Sequence, residues 1–306
     1  MEHDDTDTPV IRQQDFECPG PIHIWVELGT GRLDINLRES TAGRGEVSVQ
    51  IRPDLTGAPL WNVGINGLLS WLGEHTGGSQ PGELAVEAVR RTMIDFTEQR
   101  LTVRSPREFS LRTVPLIVQV SAPSGSSITA RSGSADVGVI GVSAGLDAAT
   151  GSGQIWAHRC TGDVEVRTGS GDVQLGTVLG RLRVRTGSGQ VDVASVEGAA
   201  GAGTVQTGSG DVRLGAVKRD VSARTGSGDL TVVDASAGGL ELVTGSGQLR
   251  VGIHTGVLAE LDVSSGSGHA RSDLPVGGPP TEGDVALRVR ARTGSGDALV
   301  TAAPSS

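Results

Sequence analysis

Tyrosine is absent from the 306-residue chain, and phenylalanine and tryptophan number three and four. A core so short of bulky rings has to be built from small β-branched and leucine side chains, which suit narrow layers. Lysine occurs once, as Lys218, so nearly all positive charge is arginine. The formal net charge is −9. An acidic chain in which no basic stripe stands out argues against nucleic acid and anionic membranes as partners. Cysteine occurs twice, as Cys18 and Cys160, which is no disulfide framework. No apolar run approaches the roughly 20 residues of a membrane span. Met1 leads into acidic residues rather than a basic, then apolar leader, and the C-terminal AAPSS carries no anchoring tail. The expected compartment is therefore the cytoplasm.

Glycine, by contrast, is abundant at 47 residues, and it is periodic. A phrase of the form [ST]-G-S-x-[DQH] begins nine times, at Ser132, Thr150, Thr168, Thr186, Thr207, Thr225, Thr244, Ser265 and Thr293. Most starts are 18 residues apart, with later gaps of 19, 21 and 28. Self-similarity at a fixed period signals a solenoid rather than an ordinary globular core. Within the unit TGSGDVQLGTVLGRLRVR, Val173 and Leu175 alternate with Asp172 and Gln174, and Leu182 and Val184 alternate with Arg181, Arg183 and Arg185. Period-two alternation places the apolar side chains on one face of a half-buried strand. The GSG between strands is expected to supply positive φ for a sharp turn. Each coil then reads strand, bend, strand, GSG turn. Coils stack about 4.8 Å apart, and their sheets face each other across roughly 10 Å. One such coil cannot bury enough to fold alone; a stack can.

The fold expected is all-β: a parallel β-solenoid, β-helix- or β-roll-like, of about nine 18-residue coils with an N-terminal strand cap and a small helical insertion. Residues 1–17 read as a disordered acidic tail. Residues 18–56 read as degenerate N-terminal coils, with Ile22 to Leu37 as one phrase and Gly43 to Val49 as another. Residues 57–97 form an insertion with short helices, one of them from Glu83 to Arg91. Residues 98–130 carry strands leading into the solenoid, which occupies 131–303, and 304–306 are a tail. In the insertion, Trp61, Ile65, Leu68, Leu69 and Leu72 fall at helical spacing. With Trp71, the segment around Trp61 and Leu68 is a candidate lid over the solenoid end or a docking helix. The last two coils are eroded, with Ala270 and Ala298 where Val or Leu stood.

TGSGDV-type repeats preceded by RLTVRSP resemble the bacterial β-strand-repeat family labelled putative adhesin, a domain of unknown function. The resemblance covers roughly Ile22 to Ala303. It implies the solenoid fold and, through the adhesin label, a surface location, and it carries over no catalytic residues.

The column following the GSG turn, Asp136, Gln154, Asp172, Gln190, Asp211, Asp229, Gln248, His269 and Asp297, has two readings. Asp136, Asp172, Asp211, Asp229 and Asp297 could form a polar ladder that recognises a polymer or protein partner. Alternatively, these side chains cap turn N–H groups. A calcium β-roll needs Asp two residues after its last glycine, whereas Val173 stands there after Gly171. GVSAG from Gly141 matches the nucleophile-elbow spacing but falls on a bend with more strand after it, without the helix the elbow needs. No phosphate loop, dinucleotide fingerprint or metal-ligand histidine spacing is present, so no cofactor is expected. Val142, Cys160, Val178, Val196, Val217 and His254 share one offset and read as a packed corner column. The function expected is a non-enzymatic scaffold or binding module, monomeric or associating end to end. The alternatives are a calcium-binding β-roll, a polysaccharide-acting β-helix enzyme and an end-to-end self-assembling structural protein.

Overall fold

The computed structural model describes residues 11–39, 45–54, 81–198, 201–275 and 285–304. It divides into two units, Met1–Ile140 and Gly141–Ser306. Trp61, Leu68 and Trp71, with the whole of their lid or docking segment, lie outside the described residues.

The first unit contains β1 (Arg12–Cys18), β2 (His23–Leu28), β3 (Gly31–Arg38), β4 (Gly45–Pro53), α1 (Pro81–Arg91), β5 (Met93–Thr97), β6 (Arg100–Arg104), α2 (Phe109–Arg112), β7 (Leu116–Pro123) and β8 (Ser127–Ser132). It also holds most of β9 (Asp136–Ser143). One sheet runs β1-β4-β7-β3-β9 and the other β5-β6-β2-β8. The β2/β3 phrase forms a coil as its alternation demands, with Ile24, Val26, Leu33 and Ile35 at most 1% exposed. That coil lies between β6/β7 and β8/β9, pairing in parallel with both.

Two stretches here depart from the sequence reading. Residues 12–17 are strand rather than tail: β1 runs antiparallel to β4, and Phe16 stacks on Phe96 at 5.1 Å. The phrase around Val47 and Val49 is not a coil, because β4 pairs antiparallel with β7. The β4 stretch is an apolar alternation, and alternation fixes which face is buried but not the direction of the partner strand; β1, whose covered side carries Arg12 and Gln14 before Phe16 and Cys18, shows no such alternation. β5 and β6 form a hairpin whose two turn residues, Glu98 and Gln99, take positive φ of 49° and 62°, as a two-residue turn of right-handed twist requires.

The second unit is two parallel sheets. One holds β11 (Ile155–Cys160), β13 (Val173–Val178), β15 (Val191–Val196), β17 (Val212–Val217), β19 (Leu230–Ala235), β21 (Leu249–Ile253), β23 (Ala270–Ser272) and β25 (Ala298–Ala302). The other holds β10 (Gly145–Thr150), β12 (Val164–Thr168), β14 (Leu182–Thr186), β16 (Gly203–Thr207), β18 (Val221–Thr225), β20 (Gly238–Thr244), β22 (Ala259–Ser265) and β24 (Leu287–Thr293). Val173 stacks on Val191 and Leu175 on Val193, all buried, while Gln174 and Asp192 face outward. Each such Val or Leu contributes roughly 1.5–3 kcal/mol of burial.

Stacking order departs from chain order at the end. The last coil, β24/β25, slides between β20/β21 and β22/β23. Ala298 is therefore buried at 1%, whereas Ala270, in the outermost coil, is exposed. The inward residues of β22, Ala259, Leu261 and Val263, remain only half covered.

Candidate functional site

The recurrent phrase builds one edge of the second unit. Every threonine of that edge from Thr150 to Thr293 is buried, at 2–8% exposure. Each Oγ1 accepts the N–H of the glycine three residues on, as from Gly171 to Thr168 at 3.0 Å and from Gly210 to Thr207 at 3.1 Å. The same hydroxyl donates to the neighbouring coil: Thr225 to Gly210 O at 3.0 Å, Thr244 to Gly228 O at 2.9 Å and Thr293 to Gly247 O at 2.9 Å. One hydroxyl thus closes its own turn and ties it to the next, which valine could not do.

The glycines serve a purpose other than the one expected. None in these GSG turns has φ in the left-handed region; among the described residues, those that do are Gly31, Gly125, Gly141, Gly198, Gly201, Gly238 and Gly256. A Cβ on Gly171 would stand 1.8 Å from Gly153 O, and one on Gly189 1.9 Å from Gly171 O. Glycine is needed because backbones of adjacent coils touch there.

The aspartates of the predicted ladder sit beside this edge. Asp172 accepts the N–H of Gln190 at 2.8 Å, Asp211 that of Asp229 at 2.8 Å, Asp229 that of Gln248 at 2.8 Å, and Asp297 that of His269 at 2.9 Å. These four carboxylates bind backbone of the neighbouring coil, and the His269 N–H holds Asp297 below the usual carboxylate range. Asp136 lies in β9, paired with Arg32 of β3. The same device recurs at the opposite turn, where Asp163 accepts from Arg181 N at 2.8 Å and Asp220 from Gly239 N at 2.7 Å.

That opposite turn holds the corner column, two of whose members are corrected. Ser143, not Val142, occupies the first corner: it is fully buried, its carbonyl accepts Thr161 N–H, and its hydroxyl reaches Cys160 Sγ at 3.2 Å. Gly141, at φ 93°, adds the residue that shifts the register. Ser143 is thus sealed inside a strand end, with no access for a substrate. At the far end the corner residue is Ile253, because the pairing of β19 with β21 is irregular between Val232 and Ala235. His254 points outward, with 54% of its side chain exposed and Nδ1 3.0 Å from Asp234. Cys160 is buried as expected, which pushes its thiol pKa up.

A basic column, which the sequence reading missed, is built by in-register stacking. The outward residue preceding each turn threonine or serine runs Ala149, Arg167, Arg185, Gln206, Arg224, Val243, Arg292 and Ser264 across β10 to β22. The signal was the recurring RTGSG, obscured by the chain's negative balance. Arg167 pairs with Glu165, Arg224 with Glu241 at 2.8 Å, and Arg292 with Asp262 at 3.5 Å. A shallow outward groove of about 310 Å³ lies beside the column, lined by Glu241, Glu260, Asp262, Arg288 and Arg290.

A family model described as Toastrack DUF4097 matches residues 76–304. The chain belongs to the Toastrack DUF4097 family. The Toastrack chain is also similar to solved structures. One, described as a putative adhesin from Bacteroides fragilis, is 12% identical, covers 96% of this chain and 98% of its own, and has a TM-score of 0.40. A putative adhesin from Parabacteroides merdae is 10% identical over 95% of both chains, at 0.37. A putative lipid binding protein from Parabacteroides distasonis is 10% identical over 96% and 97%, at 0.40. No curated protein matches. Among the described residues of the Toastrack chain, no helix is long and apolar enough to cross a membrane, and no three His, Cys, Asp or Glu are grouped to hold a metal ion.

Proposed function

We propose that the chain is a non-enzymatic binding scaffold whose recognition surface is a sheet face of the second unit rather than its turn edge. The observation that carries this reading is the engagement of the ladder carboxylates. Asp172, Asp211, Asp229 and Asp297 each accept a backbone N–H of the adjacent coil. Side chains so engaged hold the stack together, a structural role that accounts for the column without catalysis. The outward faces, by contrast, repeat their side chains in register at the strand spacing of about 4.8 Å, a geometry suited to a polymer or an extended partner.

The test is an array of anionic, neutral and cationic polysaccharides, lipid vesicles and acidic and basic polypeptides, probed with the folded chain. The reading expects retention of at least one class without chemical change to it. Cleavage or modification of any arrayed polymer, or retention of none, would count against it.

A further inference from the structure

We propose that the outward face of the even-numbered sheet, centred on the column Arg167, Arg185, Arg224 and Arg292, docks a linear acidic polysaccharide. This rests on the scaffold reading and names its ligand. The column holds four arginines and no carboxylate in its eight positions. Arg167 stands directly opposite Arg185 on the adjacent strand, and like charges so placed destabilise a sheet. Glu165, Glu241 and Asp262 offset the charge of Arg167, Arg224 and Arg292, but exposed ion pairs contribute little, and a neutral polar residue at each position would avoid the repulsion altogether. Strand β14 and the residue before it concentrate the charge further, with Arg181, Arg183 and Arg185 all exposed. Among the described residues Arg185 has no acidic partner, and Arg183 lies 3.8 Å from Glu165.

The chemistry of the surroundings selects the occupant. Guanidinium forks bind carboxylates two bonds at a time. A polyuronate presents one carboxylate per sugar ring, a repeat of the same order as the single strand spacing from Arg167 to Arg185 and half the double spacing from Arg185 to Arg224 and from Arg224 to Arg292. Thr204, Gln206 and Ser222 lie between the arginines on β16 and β18, offering neutral donors and acceptors to ring hydroxyls. No outward position of these strands carries an aromatic ring, which single-stranded nucleic acid needs for stacking. Strands β12 to β18 are paired on both sides, leaving a peptide no free edge to extend.

The experiment is affinity electrophoresis of the full chain through gels containing polygalacturonate, alginate, dextran or double-stranded DNA, at roughly 50 and 500 mM salt. The expected result is retardation by the two polyuronates, not by dextran, and weakened at high salt. Arg185→Glu with Arg224→Glu should weaken it about tenfold or more, and Arg185→Ala with Arg224→Ala in the same direction. Arg213→Glu with Arg250→Glu, on the other sheet, should change it less than about twofold. Equal loss in both double variants, or retardation by DNA as strong as by polyuronate, overturns the proposal. No polyuronate retardation, with another arrayed class retained, overturns it while leaving the scaffold reading intact. Retention of nothing removes both.

Discussion

The two turns of a coil in the second unit solve the same problem by different means. At the GSG edge a buried threonine, two bare backbones and an aspartate lock each turn to the next, and the phrase hardly varies. At the opposite turn the corner residue is Ser143, Cys160, Val178, Val196, Val217, Ala235 or Ile253 in successive coils, and the recurring link is a backbone bond, such as Leu179 N–H to Cys160 O at 2.9 Å, with an aspartate added at Asp163 and Asp220 but no threonine lock. That turn uses left-handed glycines, Gly198 at φ 85° and Gly238 at φ 95°. It also absorbs extra chain, with help from Arg219, which is 7% exposed and donates to the carbonyls of Leu179 and Gly180. The lesson is that sequence regularity follows hydrogen-bond density. Where a side chain must satisfy two coils at once, only a short hydroxyl serves, threonine in most coils and serine at Ser265.

Three substitutions press on this contrast. Thr207→Val strands the N–H of Gly210 and the carbonyl of Gly189 inside the edge, and should destabilise by about 2–4 kcal/mol. Cys160→Val at the opposite turn should change stability by less than about 1 kcal/mol, because other coils hold valine there. Denaturant melts of the two variants check this, and similar losses would erase the contrast. Arg219→Met keeps the packing volume but leaves two carbonyls unserved, so a loss of about 1–3 kcal/mol is expected in the same melts. No change would mean that the enlarged turn holds without it.

The smallest effect concerns acid. Asp297 is depressed by the backbone N–H it accepts. A depressed carboxylate stabilises the fold above its unfolded value and loses that contribution as pH falls through the lower folded value, here below about pH 4. Carboxyl NMR should show Asp297 titrating below an ordinary aspartate, and Asp297→Asn should remove that midpoint. A normal midpoint would contradict the capping role.

Period and face were legible in the sequence: Val173, Leu175, Leu182 and Val184 are buried where alternation put them. Strand direction and stacking order were not. Nothing in the residues of β4 distinguishes an antiparallel partner from a parallel one, and identical repeats cannot encode that β24 slides in beside β20. His254 was misplaced because a fixed offset assumes uniform coils, and the irregularity between Val232 and Ala235 breaks that assumption. The aspartate column was legible as a repeat position, and of its two readings capping is the one that Asp172, Asp211, Asp229 and Asp297 display. Its targets lie on the neighbouring coil, which only three dimensions reveal. The arginine column was present as RTGSG but disappears when charge is summed over the whole chain.

The GSG glycines are required by contact between coils, not by turn geometry. Gly171 and Gly256 separate the two causes. Gly171 lacks left-handed φ, but its Cβ would meet Gly153 O at 1.8 Å; Gly256 has φ 85° with nothing within 4 Å. Denaturant unfolding of Gly171→Ala and Gly256→Ala decides the matter. The claim predicts a loss above about 3 kcal/mol for the first, from displaced backbone, and about 1 kcal/mol for the second, the strain of a left-handed alanine. Equal losses, or a larger one at Gly256, would contradict it.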